Sequence, residues 1–278
     1  MRGNREGNGV SQPPRVLIVA GSDSSGGAGI QADLKTLSAL GAYGMTAITA
    51  ITVQNTLGVT DVHAIPSAVV AAQMRSCLED IGADAIKLGM LHSAELIDAV
   101  AEVLAEYPAI PVIADPVMVA KGGAALLQSE AVGALANMIL PLAAVVTPNT
   151  EEAAVLLGSA VEDEPAAERA ARELSDRFDT AVLLKGGHLS GAGVQNLLAQ
   201  PDGSVARFVS PRLDTQHTHG TGCTLASAIS AGVAAGLPLN QAVSHACGFV
   251  HAAIANAPGF GQGHGPIDHL NTQFRLAT

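Results

Sequence analysis

The 278-residue sequence predicts an α/β fold, a mostly parallel central sheet covered by helices on both faces. Three observations predict it. Short apolar runs of strand length alternate almost throughout with stretches of helical apolar spacing. Polar or glycine-rich clusters recur directly after those runs, at residues 21–29, 54–55, 89–90, 115–118, 149–152 and 185–188. The composition, 48% hydrophobic and 14% charged with mean hydropathy +0.33, suits a large buried core. Ligands of such sheets collect at the carboxyl ends of strands, so the clusters mark a single site.

Each element has a local reason. Residues 15–20, RVLIVA, form a buried strand that ends at Gly21, and SDSSGGAG (22–29) is a glycine-rich loop. Ile30, Leu34, Leu37 and Leu40 have helical spacing, and Gly41 stops that helix. Residues 45–52 form a strand, 53–58 a polar loop and 59–65 a short strand. A helix over 66–81 has Pro66 near its start. Residues 85–88 are a strand ended by Gly89, and 93–106 a helix capped by Ser93 with Glu95 in its first turn. The strand 112–114 runs into Asp115, a helix covers 130–140, and the strand 144–147 runs into Pro148 and Asn149. Helices follow at 151–157 and 164–178. The strand 181–184 leads into Lys185, Gly186, Gly187 and His188. A hairpin spans 195–199 and 205–209, the last helices cover 221–235 and 239–256, and the chain is loop-like from Pro258. With no repeat or linker, residues 1–14 read as a flexible tail and 15–278 as a single domain.

The totals exclude several classes. With 14 basic and 25 acidic residues the net charge is −11, and no basic stripe offers itself to nucleic acid. The three cysteines are widely separated without metal-like spacing, which suits a reduced, cytoplasmic protein. No run approaches the ~18 apolar residues of a membrane span, and the N-terminus lacks the apolar core of a signal peptide.

The sharpest local signal is THGTGCTLASAISAGVAAG, residues 218–236. Gly220 and Gly222 bracket Thr221 ahead of Cys223 and a helix-compatible run. Glycines that turn N–H groups inward, together with a helix N-terminus, make an anion corner suited to phosphate. A helix N-terminus lowers a thiol pKa, so Cys223 is a candidate base or nucleophile. His217 and His219 read as structural or solvent-facing rather than as partners of Cys223 in a hydrolase. The loop 22–29 lacks GxxxxGK[ST] and GxGxxG, which disfavours a P-loop and a Rossmann oxidoreductase. Asp23 is either a site acid or a helix cap. Gln54 and Asn55 suit a polar heterocycle or an ordinary turn. Asn149 and Glu152 are either a cap with a first-turn acid or a pair that positions Mg²⁺ through water. Asp115 is a second acid near the phosphates, and Lys185 can neutralise a phosphate oxygen.

Together these stretches resemble a known family. AGSDSSGGAGIQADLKT (20–36), VQNT (53–56), KLGML (87–91), DPVM (115–118), TPNTEEA (147–153), LKGGH (184–188) and THGTGCT (218–224) are similar, in order, to the bacterial hydroxymethylpyrimidine/phosphomethylpyrimidine kinases of thiamine biosynthesis. The resemblance runs from about Val16 to His269. It implies a three-layer α/β/α ribokinase-like fold. It also implies MgATP-dependent phosphorylation of 4-amino-5-hydroxymethyl-2-methylpyrimidine to the monophosphate, then the diphosphate. Asp23 and Gln54, with Gly21, Met90 and Val117, would hold the pyrimidine. Gly220, Thr221, Gly222 and Cys223 would form the anion hole. Asn149 and Glu152, with Asp115, would serve Mg²⁺, and Lys185 and Asp115 would lie by the ATP phosphates. The wider superfamily has Asp where Cys223 stands, and the pyrimidine kinases characteristically have Cys. Cys223, with a depressed pKa, would act as general base in the first step. The resemblance further implies a homodimer. A monovalent cation is compatible with it, with no residue assigned. Pyridoxal kinases share GSDSSGGAGIQADLKT, whereas VQNT is more like the pyrimidine enzymes. A non-catalytic nucleotide or metabolite binder is the alternative from a different class. The glycine-rich stretches 186–193 and 259–266 are candidate lids.

Overall fold

The computed structural model describes residues 12–119, 123, 126–187 and 193–270. The outer part of the N-terminal tail, His188 and most of the candidate lid 186–193 lie outside the described residues.

The strands are β1 (Arg15–Asp23), β2 (Tyr43–Asn55), β3 (Gly58–Ala64), β4 (Ala85–Leu88), β5 (Val112–Ala114), β6 (Val145–Val146), β7 (Ala181–Leu184), β8 (Gly193–Ala199) and β9 (Val205–Pro211). They form one nine-stranded sheet in the order β3-β2-β1-β4-β5-β6-β7-β8-β9. From β2 through β7 neighbouring strands are parallel, and antiparallel β3, β8 and β9 close the two edges.

Period-2 burial divides the core between the two faces. Leu17 and Val19 of β1 point to one cluster, and Val16, Ile18 and Ala20 to the other. The first cluster takes up α2 (Ser67–Asp80), α3 (Ala94–Glu106), α5 (Thr150–Leu157) and α6 (Glu164–Phe178), with α4 (Ala131–Ala134) beside them. The second takes up α1 (Gly29–Leu40), α7 (Thr221–Ala234) and α8 (Leu239–Ala255). The result is the expected three-layer α/β/α arrangement. Gly41, in the left-handed region at φ 83°, ends α1, and Ser93 accepts from the Leu96 N–H to start α3.

Two elements differ from expectation. The helix expected over 130–140 is one α-turn, then a π-helical stretch Leu135–Ile139 and a 3₁₀ turn Leu140–Leu142. Pro141 has no N–H and crowds the preceding turn, so the backbone widens before it. The polar loop expected over 53–58 is mostly strand. β2 continues to Asn55 and folds back onto β3 as a hairpin. Beyond Ala50 its residues alternate between exposed and covered, a pattern too short and too polar to stand out in the sequence.

Candidate active site

The parallel strands end on one edge of the sheet, around a cavity of about 570 Å³. Gly21, Asp23, Gln54, Met90, Asp115, Val117, Asn149, Glu152, Lys185, Gly220, Thr221, Gly222 and Cys223 all line it. The right-handed crossovers of a parallel sheet bring these distant segments to one side.

The anion corner is built backbone against backbone. Gly220 caps α7 at φ 84°, and a Cβ there would overlap the Gly27 carbonyl. Only glycine allows the two loops to touch in this way. The first N–H groups of α7 have no acceptor within the helix, and the dipole adds positive potential. A Cβ on Gly222 would lie 3.5 Å from Lys185 Nζ and 3.6 Å from Asp115 Oδ2. The helix terminus and the ammonium therefore face the same small volume, which suits a multiply charged anion.

Lys185 holds the acids. Its Nζ lies 2.8 Å from Asp115 Oδ1 and 3.7 Å from Glu152 Oε2, and Thr147 Oγ1 donates to Asp115 Oδ1 at 2.9 Å. Burial works to raise the Asp115 carboxyl, but Lys185 and Lys87 outweigh it and hold it below the usual range. Glu152 goes the other way. Burial, reinforced by Asp115 and opposed by Lys185, pushes it up to about 7. Asn149 and Glu152 form a capping box on α5, with both bonds at 2.8 Å.

Among the described residues no group of three or more His, Cys, Asp and Glu side chains could hold a metal. Mg²⁺ needs less, because it keeps most of its waters and takes one or two carboxylates plus phosphate oxygens. Asp115 and Glu152, flanking Lys185 in the cavity wall, fit that requirement. The Asn149 side-chain oxygen is committed to the α5 cap, so it bears on a metal through Glu152 rather than directly.

Beside the anion corner, the end of β1 carries a correction. Asp23 was expected to hold the pyrimidine. Its carboxylate is instead saturated by the Ser25 N–H and hydroxyl, the Gly27 and Ala28 N–H groups and His219 Nε2 at 2.8 Å. Burial would raise this acid, but those donors outweigh it and bring it to about 2. Asp23 thus organises the loop that shapes the cavity. His219 is buried at the hub of this network, in keeping with a structural role, and lies 3.4 Å from Gln54 Nε2. Gln54 Oε1 accepts from Thr52 Oγ1 at 3.0 Å, so the amide is pre-oriented at the cavity wall.

Cys223 carries a second correction. The helix N-terminus was expected to depress its thiol pKa. Burial dominates and pushes it up to about 11; Lys87 is the main opposing influence, and Asp33 and Asp115 add to the rise. In the ligand-free protein Cys223 is a thiol.

Sequence reasoning missed four polar residues. Lys87 of β4 is fully buried, lines the cavity and pairs with Asp33 of α1 at 2.9 Å; Ser227 of α7 donates to Asp33 at 2.7 Å. Lys87 sits in the apolar run AIKL and opens the KLGML stretch quoted above, but its only sign of a polar role was a lysine in a strand expected to be covered on both faces. His264, from the C-terminal loop, also lines the cavity.

The profile of the family described as phosphomethylpyrimidine kinase matches residues 23–268. The hydroxymethylpyrimidine/phosphomethylpyrimidine kinase of Haemophilus influenzae is 47% identical over 94% of this chain and 98% of its own length. The thiamine biosynthesis bifunctional protein ThiED of Geobacter sulfurreducens is 50% identical over 92% of this chain, but the match spans only 52% of that longer protein. Among solved structures, the Staphylococcus aureus pyridoxal kinase in complex with ADP has a TM-score of 0.87 at 36% identity, covering 95% of this chain and 96% of that one. The phosphomethylpyrimidine kinase of Clostridium difficile has a TM-score of 0.76 at 38% identity, covering 87% and 100%.

Proposed function

Because the chain belongs to the phosphomethylpyrimidine kinase family, we propose that it uses ATP to phosphorylate 4-amino-5-hydroxymethyl-2-methylpyrimidine and then the resulting monophosphate, in thiamine biosynthesis. The observation that carries this reading is the meeting of the α7 N-terminus with Lys185 and Asp115 in a cavity that the Gln54 amide also lines.

In the first step the substrate hydroxyl oxygen forms a bond to the γ-phosphorus of ATP. The bond to the β–γ bridging oxygen breaks, ADP leaves, and the hydroxyl proton must be taken up. The N–H groups of Gly222 and Cys223 face the charge that develops on the transferring phosphoryl, and Lys185 neutralises it from the cavity floor. Asp115 and Glu152 would hold Mg²⁺, which when bound supplies further charge neutralisation at the phosphates. Cys223, as thiolate, accepts the hydroxyl proton. The second step attacks through a phosphate oxygen that is already anionic and needs no such base. Gln54 both donates and accepts, matching an aminopyrimidine edge.

The protein works as a homodimer in the cytoplasm; what supports this is the family resemblance, together with the reduced cysteines for the compartment. No described helix is long and apolar enough to cross a membrane.

Incubation with hydroxymethylpyrimidine and MgATP, with mass spectrometry of the products, is expected to yield mono- and then diphosphate. Pyridoxal deserves a parallel assay, since solved pyridoxal kinases share this fold at TM-scores of 0.86–0.87. A strong preference for pyridoxal would overturn the substrate assignment. ATP binding without transfer to either would make the protein a nucleotide sensor.

A further inference from the structure

One charged group on the cavity wall has no part in the phosphate cradle. Every other residue of β4 is apolar and buried, and Lys87 lies on the face of the sheet covered by α1 and α7. A lysine there must have its charge matched, and Asp33 Oδ2 does so at 2.9 Å. An ammonium has three donors, and the structure shows one of them taken, by Asp33. A Cβ on Gly89 would lie 3.0 Å from Nζ, so the ammonium rests directly behind the backbone of the cavity wall.

Helix α7 fixes what this ammonium faces. Ser227 Oγ donates to Asp33 Oδ1 at 2.7 Å, and Ser227 follows Cys223 by four residues. Residues four apart share one helix face, so Cys223 lies one turn above the Lys87–Asp33 pair. Lys87 and Cys223 line the same cavity and interact electrostatically. The other charges felt at the thiol are Asp33 on α1, Asp115 after β5 and Lys185 after β7.

We propose that Lys87 is a positioning residue for the reaction: held by Asp33 and Ser227, its ammonium stabilises the thiolate of Cys223 and so makes this cysteine usable as the base of the first phosphorylation. The inference rests on the base role given to Cys223 above, yet its electrostatic part can be measured without turnover. Lys87 does not touch the transferring group. It acts through the cysteine, countering the desolvation that otherwise keeps the thiol protonated. Asp33 prevents the ammonium from swinging into the cavity, and Ser227 locks Asp33 to the helix that carries Cys223.

The test follows the ¹³Cβ chemical shift of labelled Cys223 against pH in the intact protein, with the signal assigned through Cys223→Ser. In Lys87→Met the thiolate fraction at about pH 10 is expected to fall about tenfold, the change given by a shift of one pKa unit. Because that variant leaves Asp33 buried and unpaired, the double variant Lys87→Met/Asp33→Asn, with no isolated buried charge, guards against loss of fold. It is expected to move in the same direction by less, since the influence of Lys87 on the thiol is larger than that of Asp33. An unchanged titration in both variants overturns the proposal. A shift in Lys87→Met that vanishes in the double variant assigns the effect to the orphaned carboxylate and overturns it too. A failed kinase assay with the expected titration shifts would reject the functional reading alone.

Discussion

His219 Nε2 lies 2.8 Å from Asp23 Oδ2, joining the end of β1 to the loop before α7. Both side chains are almost fully buried, at 5% and 3% exposure, and the same carboxylate gathers the N–H groups of Ser25, Gly27 and Ala28. This pair holds the loop that follows β1 against the start of α7. Replacing His219 by Ala should cost about 1.5–3 kcal/mol, the usual loss for a buried hydrogen bond to a charged group. Chemical denaturation would measure it.

Asp23 also sets a pH dependence. Its folded pKa, about 2, lies below the unfolded value near 4. Its contribution is therefore fully present above about pH 4 and is lost as the pH falls through about 2. Asp23→Asn should be less stable than the parent by about 1–2 kcal/mol at neutral pH, and the gap should close on acidification. A gap that stays constant down to about pH 2 would refute this ionised, loop-organising role.

Gly220 and Gly222 should behave oppositely when changed to Ala. At Gly220 the left-handed backbone and the overlap with the Gly27 carbonyl leave no room, so Gly220→Ala should lower the melting temperature by several degrees. At Gly222 the new methyl meets only ordinary contacts at 3.5 and 3.6 Å, so the fold should persist. That methyl does fill the cradle, and kcat should fall about 10²-fold. Calorimetry beside steady-state kinetics separates the two outcomes.

Cys223→Ala should slow the first phosphorylation more than the second, measured separately with each substrate. Since the thiol pKa stands at about 11, the thiolate fraction grows about tenfold per pH unit across the neutral range. The first step should therefore accelerate with pH in the parent and lose that slope in the variant. Equal losses in both steps would remove Cys223 from the role of base.

Glu152→Gln should raise the Mg²⁺ concentration needed for half-maximal turnover while leaving α5 largely capped, because the amide still accepts from the Asn149 N–H. Asn149→Ala should instead cost about 1 kcal/mol of stability through the lost cap. Metal titrations and thermal melts of the two variants would show whether the acid and the cap act separately.

The amino-acid sequence by itself determined the layers and the location of chemistry. Alternating apolar runs such as 15–20 and 181–184 can be buried only as strands between helices, and polar residues directly after them must gather at one edge of a parallel sheet. Those are local signals, and local signals survive without coordinates. The tertiary structure decided the protonation and the partners. Cys223 reads from sequence as an activated thiol at a helix start. Packing beside α1 and β4 leaves it only partly exposed, and desolvation outweighs the dipole. Asp23 reads equally as a site acid or a helix cap until the loop closes five donors around it. Lys87 is silent in AIKL because its meaning lies in Asp33 and Ser227, far away in the chain, and only the crossing of α1 and α7 over β4 brings the three together.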